Sequence, residues 1–348
     1  MARVRIALLG AGLIGREHAK LIERHPGATL AAIVDVTPAG EAYAREHGVA
    51  FHSDYERMLD DVRPDGAIVA LPNTLHLPAG LACVRRKIPV LVEKPVADTV
   101  ASALALVTVA EASGIPILVG HHRRHSPDMQ AAREAIAHGD LGAIIAVNGM
   151  CLVRKHDSYF EAEWRRRPGG GPLLINAIHD IDCFRFLAGE IESVQAIASS
   201  RARGFDVEDT TGVVMRFENG ALGTFLLSDS VPSPYFWDTA SSQALYFPAQ
   251  PEDSFVIGGS RGSLAIPSLD LWAHEDGGDW RDPILRRRLP VERSSCYANQ
   301  LDHFIAVIRG EVAPVVTGRD ATMTVAATLA IDRAAAEGRS VRLAEMLA

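Results

Sequence analysis

Between residue 3 and about residue 120, short apolar runs alternate with longer amphipathic stretches. VRIALL, LAAIVD, GAIVAL, PVLVE and PILVG are apolar at nearly every position, the mark of strands covered on both faces. The helical periods between them predict βαβ units and a parallel sheet. The clearest of these helices covers 101–114 and stops at Gly114, just before Ile115 and Pro116. After about residue 125 the pattern changes. Helical periods over 127–138 and 172–188 lead into SVQAIAS, TTGVVMRF, ALGTFLLS, SFVIGG and GSLAIP, closely spaced and joined by turn signals such as Glu218-Asn219-Gly220. Strands with no helix between them predict antiparallel pairing. Two helical patterns, 297–309 and 318–337, close the chain. The expected architecture is α/β: a doubly wound parallel sheet over 1–122, then an α+β domain over 123–348 with an open, mostly antiparallel sheet, its last helices placed to pack back on the first domain.

A chain of 348 residues, 48% hydrophobic and 22% charged, exceeds what one core usually organises, which agrees with two domains. A net charge of -8 argues against nucleic acid or an anionic membrane as partner, because both demand a broad excess of Lys and Arg. The runs Arg165 to Arg167 and Arg286 to Arg288 read as solvated faces. Cys83, Cys151, Cys183 and Cys296 form no C-x-x-C pair, so neither a metal site nor a disulfide framework is signalled, and a reducing, cytoplasmic setting is expected. Residues 1–15 read as a buried strand rather than a signal peptide, since no small-residue cleavage site follows before Arg16, Glu17 and His18. No stretch approaches the roughly 20 uncharged apolar residues that span a bilayer.

The segment GAGLIG, Gly10 to Gly15, lies between the first strand pattern and a helix starting near Leu13. Gly10 permits the tight turn, Gly12 lets the backbone approach a pyrophosphate, and Gly15 lets helix and strand pack closely. The helix start, with Leu13 and Ile14, presents free N–H groups to phosphate. Asp35 closes the second strand pattern about twenty residues on, so strand, glycines, helix and acid match a Rossmann dinucleotide site. A carboxylate at Asp35 accepts hydrogen bonds from ribose hydroxyls and repels a 2′-phosphate, and no Arg or Lys stands in Val36-Thr37-Pro38-Ala39. NAD is therefore expected over NADP.

Taken in order, GAGLIG, ALPNTLH (70–76), EKP (93–95), HRRHSP (122–127) and GGGPLLINAIHDID (169–182) resemble the Gfo/Idh/MocA oxidoreductases over almost the whole chain. The resemblance implies a Rossmann domain followed by an open sheet, hydride chemistry on sugars, cyclitols or related hydroxylated compounds, and dimers or tetramers formed through the sheet face. It assigns Lys94 and His179 as the catalytic pair, the histidine beside the substrate as acid/base. It adds Val36, Leu71, Pro72, Asn73, His76, Glu93 and Lys94 to the cofactor contacts, and His122 and Arg123 to the nicotinamide and substrate pocket. Lys94 follows the fifth strand of the family fold, the strand end at which doubly wound sheets bind ligands. A partly desolvated lysine there can hold or relay an alcohol proton. Asn176 and His179, three apart on a helix, share a face that makes a candidate substrate wall. The family's usual aspartate four residues before the histidine is Ile175 here, which shifts acid/base work to Lys94 and His179. Trp164 and Arg165, and Trp237 in the loop after a later strand, are candidates for an aromatic and cationic rim.

The reaction so implied is oxidation or reduction of a secondary alcohol with NAD and no metal. Two other readings remain open at this point: an NAD-dependent glycoside hydrolase acting by transient oxidation, and a non-catalytic NAD-binding regulator on the same fold.

Overall fold

A computed structural model describes residues 2–243, 247–275 and 278–348. The first apolar run is β1 (Val4–Leu9). The chain continues through α1 (Leu13–Arg24), β2 (Ala28–Val34), α2 (Pro38–Glu46), β3 (Ala50–His52), α3 (Tyr55–Val62), β4 (Gly66–Val69), α4 (His76–Arg85), β5 (Val90–Val92), α5 (Val100–Ser113) and β6 (Ile117–Val119). All six strands pair in parallel, in the order β3-β2-β1-β4-β5-β6. Ile6, Leu8, Ile68, Val90, Leu91 and Leu118 are completely buried, which is why these runs carry no polar alternation. Side-chain caps start several helices: Thr37 accepts from Gly40 N–H, Asp54 from Arg57 N–H and Thr99 from Ser102 N–H. The sheet order reverses between β1 and β4, and at such a switch point a ligand crevice opens at the carboxyl ends of the strands. β3 is the one strand of this sheet that the apolar pattern did not announce. It is three residues long, Ala50-Phe51-His52, and half exposed at the edge.

The second sheet has nine strands: β7 (Ile144–Leu152), β8 (Ile191–Ser199), β9 (Thr210–Phe217), β10 (Leu222–Ser228), β11 (Phe255–Gly259), β12 (Ser263–Ile266), β13 (Asp270–Ala273), β14 (Leu285–Arg288) and β15 (Val341–Arg342). Their order is β14-β13-β12-β11-β7-β10-β9-β8-β15. Every pairing is antiparallel except β7 with β10, so the sheet is mixed and joins two meanders at β7. One face alternates inward, with Val147, Cys151, Val213, Met215, Phe225 and Leu227 buried. The remaining helices are α6 (Pro127–Ala137), α7 (Ile178–Ala188), α8 (Trp237–Ala240), α9 (Cys296–Ile308), α10 (Gly318–Glu337) and α11 (Ala344–Leu347). None of the described helices is long and apolar enough to cross a membrane.

The chain divides into two compact units, one ending at His125 but regaining Ser295–Val325, the other comprising Ser126–Ser294 and Ala326–Ala348. In the first unit the returning segment extends the sheet edge: Val119 N–H donates to Val316 O at 3.0 Å, and Leu118 bridges Thr317.

Candidate active site

The glycine turn after β1 is shaped by close backbone approach. Gly10 has φ +99, and a Cβ there would overlap the carbonyl of Ala70; a Cβ on Gly15 would overlap Gly10 O. Apart from its chain neighbours, no atom of the described residues lies within 4 Å of where a Gly12 Cβ would stand. The packing of the chain thus accounts for Gly10 and Gly15, while Gly12 leaves open space at the start of α1, where a pyrophosphate can approach.

Asp35 follows β2 directly. Its Oδ2 accepts from Ala11 N–H at 2.7 Å, and its Oδ1 accepts from Thr37 N–H at 2.8 Å and Thr37 Oγ1 at 2.7 Å. Burial pushes this carboxyl up, but the hydrogen bonds from Thr37 and Ala11 outweigh it and hold the group below the ordinary aspartate value. A cleft of about 630 Å³ brings Gly10, Gly12, Asp35, Val36, Leu71 and Pro72 together. Val36 is 85% exposed on its rim. Leu13 is also exposed, while Ile14 and Asn73 are half-buried. The cleft has a further wall that the motif reading did not include, Ser53 to Glu56. Those residues follow β3, so missing the strand meant missing the loop it carries.

At the carboxyl end of β5, Glu93 is buried and its Oε1 lies 2.8 Å from His18 Nε2, also buried. Lys94 N–H donates to the other carboxylate oxygen at 3.2 Å. Burial raises this carboxyl, yet the His18 bond and the charge of Lys94 bring it below the usual glutamate value. Glu93 therefore anchors the loop rather than offering its carboxylate to a ligand, and Lys94 stands half-buried at its side. His76 plays a similar part. Its Nδ1 lies 2.7 Å from Pro95 O and its Nε2 2.8 Å from Leu71 O, so the ring sits between the loops after β4 and β5 and, when neutral, donates its single N–H to one of the two carbonyls; its contribution to the cleft is positional. After β6, His122 and Arg123 are buried, and the His122 ring stacks on Tyr297 at 4.2 Å. Burial, then the charges of Arg123 and Lys94, hold His122 well below the ordinary histidine value, so its imidazole is neutral at pH 7.

In the second unit a π turn, Leu173–Ala177, runs straight into α7. Ile178 N–H reaches Leu173 O, five residues back. The wider turn breaks the simple i, i+3 count by which Asn176 and His179 were placed on one face, because π geometry advances more residues per turn than α geometry. His179 is buried, and the half-buried Asn176 keeps a buried Oδ1 without a hydrogen-bond partner among the described residues. Such an orphaned acceptor in a folded protein calls for an explanation, and a ligand donor is one. Ile175, at the family's aspartate position, is half-buried on the same turn. Trp164 is 56% exposed, and the Arg165 guanidinium lies 3.9 Å from the Tyr159 ring centroid and 5.3 Å from that of Trp164. Trp237 corrects an expectation: it is 1% exposed and stacks on Phe255 at 5.7 Å. It belongs to the core of this unit and has no free face for a substrate ring.

Two family models match the chain. The one described as an oxidoreductase family with an NAD-binding Rossmann fold covers residues 4–121, and the GFO/IDH/MocA C-terminal domain covers residues 129–265. The chain belongs to the Gfo/Idh/MocA oxidoreductase family. A member from Ensifer adhaerens named 1,5-anhydro-D-fructose reductase is 29% identical over 97% of this chain and 98% of its own length. Inositol 2-dehydrogenase of Rhizobium meliloti is 28% identical over 98% and 99%. Among solved structures, the WlbA dehydrogenase of Chromobacterium violaceum, in complex with NADH and UDP-GlcNAcA, is 25% identical, with a TM-score of 0.79 over 98% of this chain and 96% of that one. The protein is accordingly an oxidoreductase with an NAD-binding Rossmann domain, and the cleft beside Asp35 suits that cofactor.

Proposed function

We propose that this Gfo/Idh/MocA enzyme exchanges a hydride between NAD and a secondary alcohol of a sugar, cyclitol or related hydroxylated compound, with Lys94 and His179 handling the hydroxyl proton. The observation that carries the reading is the setting of Lys94. It follows the carboxyl end of β5, next to a glutamate locked by His18, at the strand ends where a doubly wound sheet holds its ligand. The activities in the names of its relatives support the substrate class. Bound NAD supplies the hydride acceptor or donor. Gly12 and the start of α1 hold the diphosphate, Asp35 takes the ribose hydroxyls, and Lys94 and His179 take or return the proton. Asn176, Trp164 and Arg165 orient the substrate.

Losing a general acid or base lowers a rate by about 10²- to 10⁴-fold. Lys94→Ala and His179→Ala are expected to lower turnover on that order, followed by NADH absorbance across cyclitols, aldoses and sugar acids, while NAD affinity stays nearly unchanged in His179→Ala. Full turnover by both variants would overturn the assignment. Stoichiometric NADH production also separates this reading from hydrolysis by transient oxidation, which leaves no net NADH.

We also infer a cytoplasmic homodimer or homotetramer. The outer face of the nine-stranded sheet supports self-association, with Ile197, Val214 and Leu226 exposed, because contiguous apolar patches mark interfaces. Four buried free cysteines suit a reducing compartment.

A further inference from the structure

The helix that carries Asn176 and His179 begins against a carboxylate that no motif singled out. Glu208 lies in the turn between β8 and β9. That turn is pinned by its neighbour Asp209, which is buried: its N–H donates to Ser199 O at 2.8 Å, and its carboxylate accepts from Arg203 N–H and Thr210 Oγ1, each at 2.9 Å. From this fixed base the Oε1 of Glu208 accepts from Leu173 N–H at 2.8 Å. Leu173 is the first residue of the π turn, and the residue before it is Pro172, which has no N–H to offer. The fit between the two segments is close, since a Cβ on Gly171 would overlap both oxygens of the Glu208 carboxylate. A carboxylate at a helix start satisfies a donor that the helix itself leaves over and opposes the positive end of its dipole. Burial holds the Glu208 carboxyl above the ordinary glutamate value, and the Leu173 N–H bond offsets only part of that rise.

We propose that Glu208 is a positioning residue for catalysis: through Leu173 N–H it fixes the first turn of the segment that presents Asn176 and His179, and Gly171 is glycine so that this latch can close. The inference rests on His179 being an acid/base, and it accounts for a glutamate and a glycine that touch neither cofactor nor substrate in that reading. A misplacement of about 1 Å at a reacting centre costs on the order of 10²-fold, so a loosened first turn is expected to lower kcat by about 10- to 100-fold.

The test uses the full-length enzyme and the alcohol found by the substrate screen. Glu208→Ala should lower kcat by that factor with KM for NAD unchanged. Glu208→Gln, which keeps an oxygen acceptor for Leu173 N–H, should recover turnover to within about threefold of wild type. Gly171→Ala should mimic Glu208→Ala, and the double variant should be no worse than either alone, because both changes undo one contact. Wild-type kcat in Glu208→Ala, a Glu208→Gln as impaired as Glu208→Ala, or additive losses in the double variant would overturn the proposal, as would losses that track a lower fraction of folded enzyme measured by active-site titration. His179→Ala run in parallel separates the two claims. If it too turns over normally, the acid/base reading fails and the latch fails with it; if it is impaired while Glu208→Ala is not, the latch alone fails.

Discussion

The pairing of Glu93 with His18 gives the sharpest test of how the first unit holds Lys94 in place. The side chains are 7% and 2% exposed, and the pair is 2.8 Å long. Glu93→Gln has the same shape, so it fits the space left by Gly120, where even a Cβ would stand 2.9 Å from the carboxyl group. The amide can still accept from His18, but its NH₂ then faces Lys94 N–H, a donor against a donor, and the charge is gone. Losing one hydrogen bond to an ionised, buried acceptor costs about 2–3 kcal/mol. At roughly 1.4 kcal/mol per tenfold, that is about 30- to 150-fold faster hydrogen exchange for amides that open with this unit. Peptides covering β1, β4 and β5 are the place to read it. Tryptophan fluorescence is not, because Trp164, Trp237, Trp272 and Trp280 all lie in the other unit. The sign with pH is set by the depressed carboxyl of Glu93. A folded value below the ordinary 4.5 of glutamate contributes stability that is complete above 4.5 and is lost as pH falls through the folded value. The gap between wild type and Glu93→Gln should therefore be full at pH 7 and close in acid. Exchange in β1 and β5 within threefold of wild type at pH 7, or a gap that persists undiminished in acid, would refute the reasoning.

Asp35→Ser removes the charge that repels a 2′-phosphate and keeps a small hydroxyl. It should raise KM for NAD and narrow the NAD to NADP ratio of kcat/KM by about tenfold or more, and an unchanged ratio would remove Asp35 from cofactor choice. Ile197→Glu places a carboxylate on the exposed apolar sheet face at a residue 80% exposed in the single chain; sedimentation should show a lower oligomeric state with the fold intact, and an unchanged state would exclude this face. All four cysteines are buried, and burial pushes the Cys83 thiol up to about 12, so a thiol reagent should titrate almost none in the native enzyme and four after unfolding. Rapid native labelling of two or more would contradict that packing.

What the sequence disclosed follows from where local chemistry alone decides structure. The runs at β1, β4 and β5 are buried on both faces and so are apolar but for the exposed Arg5, and Gly10 and Gly15 of the first turn answer to backbone overlap that a side chain would create. Both survive removal from their context. β7 does not. It is the central strand of the second sheet, yet IIAVNGMCL breaks its apolar run with Asn148 and Gly149. Gly149 is small because the Phe184 ring occupies the space where its Cβ would stand, and a strand shaped by a partner from α7 leaves no periodic signature of its own. The π turn is hidden for the same reason: LLINA reads as an ordinary helix, and only the carboxylate of Glu208, far along the chain, accompanies its start. Trp237 errs in the opposite direction, since an aromatic in a loop sequence is as suited to packing as to a substrate, and the neighbouring Phe255 decides the matter. The residues legible from sequence are thus Gly10, Gly12 and Asp35, which line one cleft of the first unit. The start of the segment that carries His179 is held instead by a residue distant in sequence, through Leu173 N–H to Glu208 Oε1, and under the proposed reading it is there, at Ile175 and Asn176, that substitutions should change which alcohol is accepted before they change the use of NAD.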